Sequence, residues 1–195
     1  MATQAERRAA TRAKLINTAR EHFSRDGYEK THTNDILKYT GLSRGALYHH
    51  FQNKQDLFEA VFIDISNESI EYAVKHGKKS ESSLENLISA CLAWLRAVRR
   101  PEVASILLSQ APRVLGWARA RELEDSSSFS LMKLSLDRAV AAGELWVPSV
   151  ELAARLINSM LAEAALAMLH GKPVTSVAKQ EAAVRQFIEG LRLST

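Results

Sequence analysis

Residues 41–54, GLSRGALYHHFQNK, crowd hydrogen-bond donors into barely two helical turns: Arg44, Tyr48, His49 and His50, with Lys54 just beyond. A segment so short can bury only Ala46, Leu47 and Phe51, which leaves the donors for something outside the core. Their chemistry suits an acceptor-rich polyanion. Arg44 can donate a bidentate pair to a guanine edge, Tyr48 and Lys54 can reach phosphates, and the two histidines add further donors. The excess charge points the same way. Residues 1–60 hold ten Lys and Arg against seven Asp and Glu, whereas residues 61–195 hold sixteen against fifteen. Four of the six histidines also lie in the first third, the footprint expected of a phosphate-binding surface.

Such donors need a scaffold. The 195 residues are 46% hydrophobic and 25% charged, with only eight Gly and four Pro, a balance that suits an all-α globular protein of one or two domains. Leu15, Ile16, Ala19 and Phe23 repeat at helical spacing and Gly27 follows, so the first helix is expected over about Glu6–Asp26. A short second helix begins near Thr33 and ends at Gly41. Ser43 can cap a third over 44–50, and Asn53 with Asp56 reads as a capping box opening a fourth that runs to about Lys75. After the polar stretch 76–83, Ser82 with Glu85 forms a second capping box for a helix reaching Arg99. Pro101 starts a sixth, expected to end near Pro112. Val114–Ala142 reads as one long helix, Pro148 and Ser149 open another that ends at Gly171, and the last covers about Ser176–Arg192. That makes about nine helices.

Helices two and three, joined by a Gly-containing turn and braced by helix one, make a helix-turn-helix. An α-helix fits the major groove of B-DNA. A single such unit offers few contacts, whereas two related by a two-fold axis read a palindrome. The last two helices supply a dimer surface in this reading: Ala153, Ala154, Ser159, Ala162, Ala165 and Ala167 allow close approach, and Val184, Phe187, Ile188 and Leu191 add apolar area. The bland alternative is that both helices only close their own core.

The stretch GYEKTHTNDILKYTGLSRGALYHHFQNKQDLFEAV, residues 27–61, resembles the tetracycline-repressor (TetR) family of transcription regulators, with G-Y, D-I, G-L-S-R-G, L-Y-x-H-F, N-K and L-F-x-A-V at the family's spacing. The resemblance implies that residues 1–52 form the DNA-binding domain, that helix four connects, and that 53–195 form a helical bundle for ligand binding and dimerisation. It implies that Thr33 and Asn34 approach the DNA, that Ser43 and Arg44 start the recognition helix, that Tyr48, His49 and His50 lie on its exposed side, and that Lys54 meets a phosphate. His32 stands where a capping Thr or Ser is common, so the cap of helix two is expected at Thr31 or Thr33. Leu37 and Thr40 replace small residues, which suggests altered packing between helices two and three.

The resemblance also implies a small-molecule effector enclosed by helices four to eight, whose occupancy tilts helix four. Trp94, Trp117, Phe129, Met132, Met160 and Met168 are large and adaptable enough to line a cavity, though each can equally be ordinary core. Gln110, Arg113 and Glu163 are polar residues beside those runs that could orient a ligand; Glu163 can equally face water. The expected partners are therefore a palindromic double-stranded operator, a second copy of the chain and an effector.

Other classes fit poorly. No Glu-x-x-His repeat, Cys/His zinc spacing, nucleophile elbow or phosphate-cradling Gly loop is present, so neither an enzyme nor a metal or cofactor site is expected. No apolar run is long enough to span a membrane and no secretory signal opens the chain, so a cytoplasmic location is expected. The lone Cys91 lies in an apolar run and reads as a small core residue. A helix-turn-helix used for architecture or protein interaction, with no effector, is the main rival.

Overall fold

The computed structural model describes residues 3–168 and 176–192, and nine helices account for most of them. The expected end of the eighth at Gly171 lies outside the described residues. α1 (Gln4–Lys30) opens on a closed capping box: the Thr3 hydroxyl accepts from the Glu6 N–H and the Glu6 carboxylate accepts from the Thr3 N–H. It buries Leu15, Ile16, Ala19 and Phe23 and is interrupted at Gly27, whose φ of 79° and ψ of 164° only glycine adopts freely.

α2 (Thr33–Thr40) ends on Gly41 in the left-handed region. Thr40 does more there than fill space: its hydroxyl donates to the Ile36 carbonyl at 2.9 Å and lies 3.4 Å from the Leu42 N–H, so the turn is tied from within. α3 (Arg44–His50) starts at Ser43, whose Oγ accepts from the Ala46 N–H at 3.1 Å. α4 (Lys54–His76) starts at Asn53, whose side chain accepts from the Asp56 N–H at 2.8 Å. The Asp56 carboxylate answers to the Gln52 N–H rather than that of Asn53, so the box is displaced by one residue.

α5 (Ser83–Val98) is the axle of the larger bundle and packs against α4 and the three later helices described below. Its N-terminus is held in an unexpected way. Ser82 caps it, but the Glu85 carboxylate is taken by Arg185 at 3.0 Å, and the carboxylate that faces the helix start is that of Glu144. Glu144 accepts from the Ser82 hydroxyl and from the Ser83 and Leu84 N–H groups, which together hold its carboxyl below the usual range.

Two expected boundaries are corrected. α6 runs through Pro112, as Pro101–Ala104, a wide-turn segment Ser105–Gln110, and Ala111–Val114. The wide turns place Pro112 in the opening turn of the last segment, where a missing N–H costs little. The helix expected from Val114 begins only at Trp117, because Gly116 takes a φ of 80° and breaks the chain there. α7 then runs as Trp117–Glu124, a second wide-turn segment Asp125–Phe129, and Ser130–Ala141. α8 (Val150–Leu166) and α9 (Val177–Glu189) begin on the hydroxyls of Ser149 and Ser176. One continuous apolar core joins α1 to α9 among the described residues.

Candidate DNA interface and effector cavity

Leu47 and Phe51, 1% and 4% exposed, anchor α3 in the apolar core together with the fully buried Ile36 of α2, the helix it packs against. The opposite side of this seven-residue helix faces solvent: Arg44, Tyr48 and His49 are exposed and His50 is half-buried. The Arg44 guanidinium stands 5.5 Å from the Tyr48 ring centroid, a cation–π contact that narrows the freedom of both side chains before any partner arrives. Burial, then the neighbouring His49, Arg8 and Arg12 charges, push the His50 pKa down, so His50 is neutral at neutral pH and acts as a single-proton donor or acceptor. Ser43 has its oxygen engaged in capping, so it fixes where the helix starts.

Beside α3 lies a notch of about 370 Å³ walled by Thr31, His32, Thr33, Asn34, Tyr48, Gln52, Asn53 and Lys54. Four residues singled out from the sequence, Thr33, Asn34, Tyr48 and Lys54, meet in it. The N-terminus of α2 opens on it without a side-chain cap: His32 makes no capping hydrogen bond. The expected cap at Thr31 or Thr33 is corrected, since the buried Thr31 hydroxyl donates to the Gly27 carbonyl at 2.8 Å instead. The Asp35 N–H is taken by the His32 carbonyl at 3.0 Å, and the Thr33 and Asn34 N–H groups with the positive end of the helix dipole favour an anion at this place.

Lys54 is less free than its position suggests. Its ammonium donates to the carbonyls of Tyr28 at 2.8 Å and Thr31 at 3.1 Å, and lies 4.0 Å from the centroid of the Tyr28 ring. Two of its three donors are spent closing the C-terminal end of α1, so its first role is as a clamp between α1 and α4.

The other opening is a half-open cavity of about 470 Å³ walled by α4 to α8. Of the nine residues singled out for a ligand, Trp94, Trp117, Phe129 and Met132 line it, and the other five, Met168 among them, do not. Met160 packs into the core, Glu163 is exposed, and Arg113 is exposed and folds back on the Ser109 carbonyl at 2.9 Å. Gln110 is 6% exposed and faces α1: it accepts from the Tyr28 N–H at 2.8 Å and donates to the Phe23 carbonyl at 3.1 Å and to Ser105 Oγ at 3.0 Å. The reason is helical phase. Leu108 and Pro112, four apart, face the cavity and place Gln110 on the other side of α6.

The sequence reading missed Arg121, Glu124, Arg138, Arg155 and Asn158, all in the wall. The signal was present: Trp117, Arg121, Glu124, Ser128, Leu131, Ser135 and Arg138 recur every three or four residues along α7. Arg155 holds Asp125 in a bidentate pair at 2.7 and 3.0 Å and stacks 3.9 Å from the Phe129 ring centroid.

Residues 15–61 match the model of bacterial regulatory proteins of the tetR family, and residues 84–191, more than half of the chain, match that of a tetracyclin repressor-like C-terminal domain. The chain belongs to the TetR family. A TetR-family transcriptional regulator from Pectobacterium atrosepticum, solved by crystallography, is 32% identical, superposes with a TM-score of 0.80 and covers 99% of each chain. The fatty acid degradation regulator FadR of Bacillus halodurans shares the fold, with a TM-score of 0.77 at 16% identity over 91% of this regulator and 93% of that chain. The HTH-type transcriptional regulator UidR of Escherichia coli (strain K12) is 40% identical over 53 residues, 27% of this chain and 27% of UidR. Similarity to such relatives thus spans about a quarter of their length. A mycobacterial HTH-type transcriptional repressor extends further, at 28% identity over 64% of this chain and 66% of its own length.

The helix pair expected to dimerise needs correction in detail. Ala153, Ala154, Ala165, Val184 and Ile188 are buried in their own subunit. Ser159 and Ala162 line the cavity, and turned outward are Leu152, Leu156 and Glu163 on α8 and Phe187 on α9, with Leu152, Leu156 and Phe187 at 55%, 61% and 72% exposure. Among the described residues no helix is long and apolar enough to cross a membrane.

Proposed function

We propose that this TetR-family regulator is a homodimeric, effector-responsive repressor that acts in the cytoplasm on a palindromic operator. Residues 1–52 read the DNA, α4 connects, and 53–195 hold the effector and the second copy. Arg44 reads a base edge, Tyr48 and the uncapped start of α2 at Thr33 and Asn34 hold phosphates, and His49 and His50 add contacts along the groove. Lys54 positions the α1–α4 junction and lends at most one donor to the backbone. The outward face of α8 and α9 pairs two subunits, because three large apolar side chains within two helices are costly to leave in water.

The observation that carries the regulatory part is the 470 Å³ cavity, which has room for a drug-sized molecule. It favours an effector-responsive protein over an architectural helix-turn-helix module. For the effector to release DNA it must bind the non-DNA conformation better, since equal affinity for both would shift nothing.

Selection of bound sequences from random duplex DNA at stated salt is the direct test. A two-fold symmetric consensus with strongly salt-dependent affinity is expected. Recovery of no consensus, or binding indifferent to salt, would overturn the operator reading.

A further inference from the structure

One carboxylate in the cavity wall stands without a hydrogen bond or an ion pair of its own. Glu124, on α7, is half-buried, and among the described residues no hydrogen bond or ion pair reaches its side chain. The nearby cations are committed elsewhere. Arg155 is held by Asp125 in two hydrogen bonds and lies on Phe129, while Arg121 lies 3.9 Å from the same Asp125 and 5.2 Å from the Trp117 ring centroid. Arg138, also in the wall, is exposed.

The same wall carries large apolar and aromatic side chains, Trp94, Trp117, Phe129, Met132 and Leu161. We propose that the cavity takes an apolar cation, a protonated amine carried on a hydrocarbon or aromatic body, with Glu124 as its counter-charge. This rests on reading the cavity as the effector site. A carboxylate taken out of water without a partner is costly, and an ammonium seated against it offsets that cost. An anionic ligand would meet Glu124 with the wrong sign, and Arg155 and Arg121 already face Asp125, which leaves only the exposed Arg138 in the wall to receive it. A neutral ligand would fill the volume but deepen the desolvation of Glu124. The Trp94 ring favours a cation as well, whereas that of Trp117 already carries Arg121. Burial already pushes the Glu124 carboxyl above its usual range, with Asp125 adding to the effect and Arg121 and Arg155 opposing it.

The test uses three probes sharing one body: 4-(1-naphthyl)butylamine, the corresponding alcohol and the corresponding carboxylate, titrated calorimetrically into the full-length dimer and then added to its complex with the selected operator. The amine is expected to bind at least tenfold tighter than the alcohol, and the carboxylate weaker than either. Glu124→Gln is expected to remove the amine's advantage while leaving the alcohol's Kd within twofold, which also reports that the variant is folded. A carboxylate that binds tightest, an amine advantage that survives Glu124→Gln, or no binding of any probe overturns the assignment. The two readings separate in the operator assay. Release of DNA by a preferred carboxylate sinks the cation site and leaves effector control standing, whereas a preferred amine that releases no DNA does the reverse.

Discussion

Gln110 ties the effector-side bundle to the DNA-reading helices, and replacing it by Met measures that tie. Met keeps the length and most of the volume of the side chain but removes all three of its hydrogen bonds. The Tyr28 N–H exists as a free donor because Gly27 breaks the α1 ladder, so no intrahelical carbonyl stands ready to replace Gln110 Oε1. The Phe23 carbonyl loses its donor in the same stroke. An unsatisfied buried backbone group costs about 1–3 kcal/mol, so two of them, with partial relaxation, cost about 3 kcal/mol. For a chain of this size that corresponds to a fall in Tm of about 6–12 °C. Ser105→Ala, which removes only one hydroxyl partner of Gln110, is expected to cost under about 1.5 kcal/mol. Thermal unfolding followed by circular dichroism gives both numbers, and hydrogen exchange should show the Tyr28 amide protected in the parent and opened in Gln110→Met. A Tm within about 1 °C of the parent, with Tyr28 still protected, would refute the assignment of Gln110 as the tie.

Lys54→Ala should lower Tm by several degrees, because two charge-assisted hydrogen bonds worth roughly 2 kcal/mol together are lost at the end of α1; an unchanged Tm with a salt slope flattened by about one unit would instead make Lys54 a plain phosphate contact. Arg44→Ala should relax the preference at one base pair per half-site by about 1–3 kcal/mol in competition binding, with the other positions unmoved. Leu156→Glu puts a charge in the outward face of α8 and should shift sedimentation at micromolar concentration from dimer to monomer and weaken operator binding accordingly; a dimer that persists would displace the interface from these helices. Glu59 accepts from Arg119 at 2.6 and 2.9 Å, which holds its carboxyl below the usual range. A group with a depressed folded pKa stabilises fully above its unfolded value and loses that contribution as pH falls through the folded one. The Tm gap between the parent and Glu59→Gln should therefore be constant from neutral pH down to the ordinary Glu range and close below it; a gap that widened in acid would contradict the pairing.

The N-terminal third was legible because its punctuation is local. Ser43, Gly41 and Asn53 each act within four residues of themselves, so the bounds of α3 and the start of α4 follow from capping chemistry alone. The middle was legible only in part, because Pro112 and Gly116 act through conformations that neighbouring turns decide. A wide-turn segment absorbs the proline, and a positive φ at the glycine shifts the start of α7 by three residues from the expected one. The face carrying Arg121 and Glu124 was passed over for a different reason: it is largely polar, and an apolar stripe marks only the core side of a helix. Partners distant in sequence were not legible at all: nothing near Ser82 announces Glu144, sixty-two residues on, and nothing near Lys54 announces that its donors belong to Tyr28 and Thr31.

The position of α6 gives these residues a common consequence. Leu108 and Pro112 form cavity wall, and Gln110 between them points away from it into the kink of α1. The wide-turn segment Ser105–Gln110 is the stretch of this helix with the least regular hydrogen bonding, and it is where the two faces meet. An occupant that displaces Leu108 must either stretch the Gln110 hydrogen bonds or carry Tyr28 with it, and the Tyr28 carbonyl is held by Lys54 at the first residue of α4. A shift in the cavity therefore reaches the helix that follows α3 through three side chains in series, with the Glu59–Arg119 pair tying α4 to α7 in parallel. If that series carries the coupling, Gln110→Met should leave the affinity for the amine probe within a few-fold while raising the concentration needed to release operator DNA. Equal shifts in both would mean that the coupling runs through α4 and α7 instead.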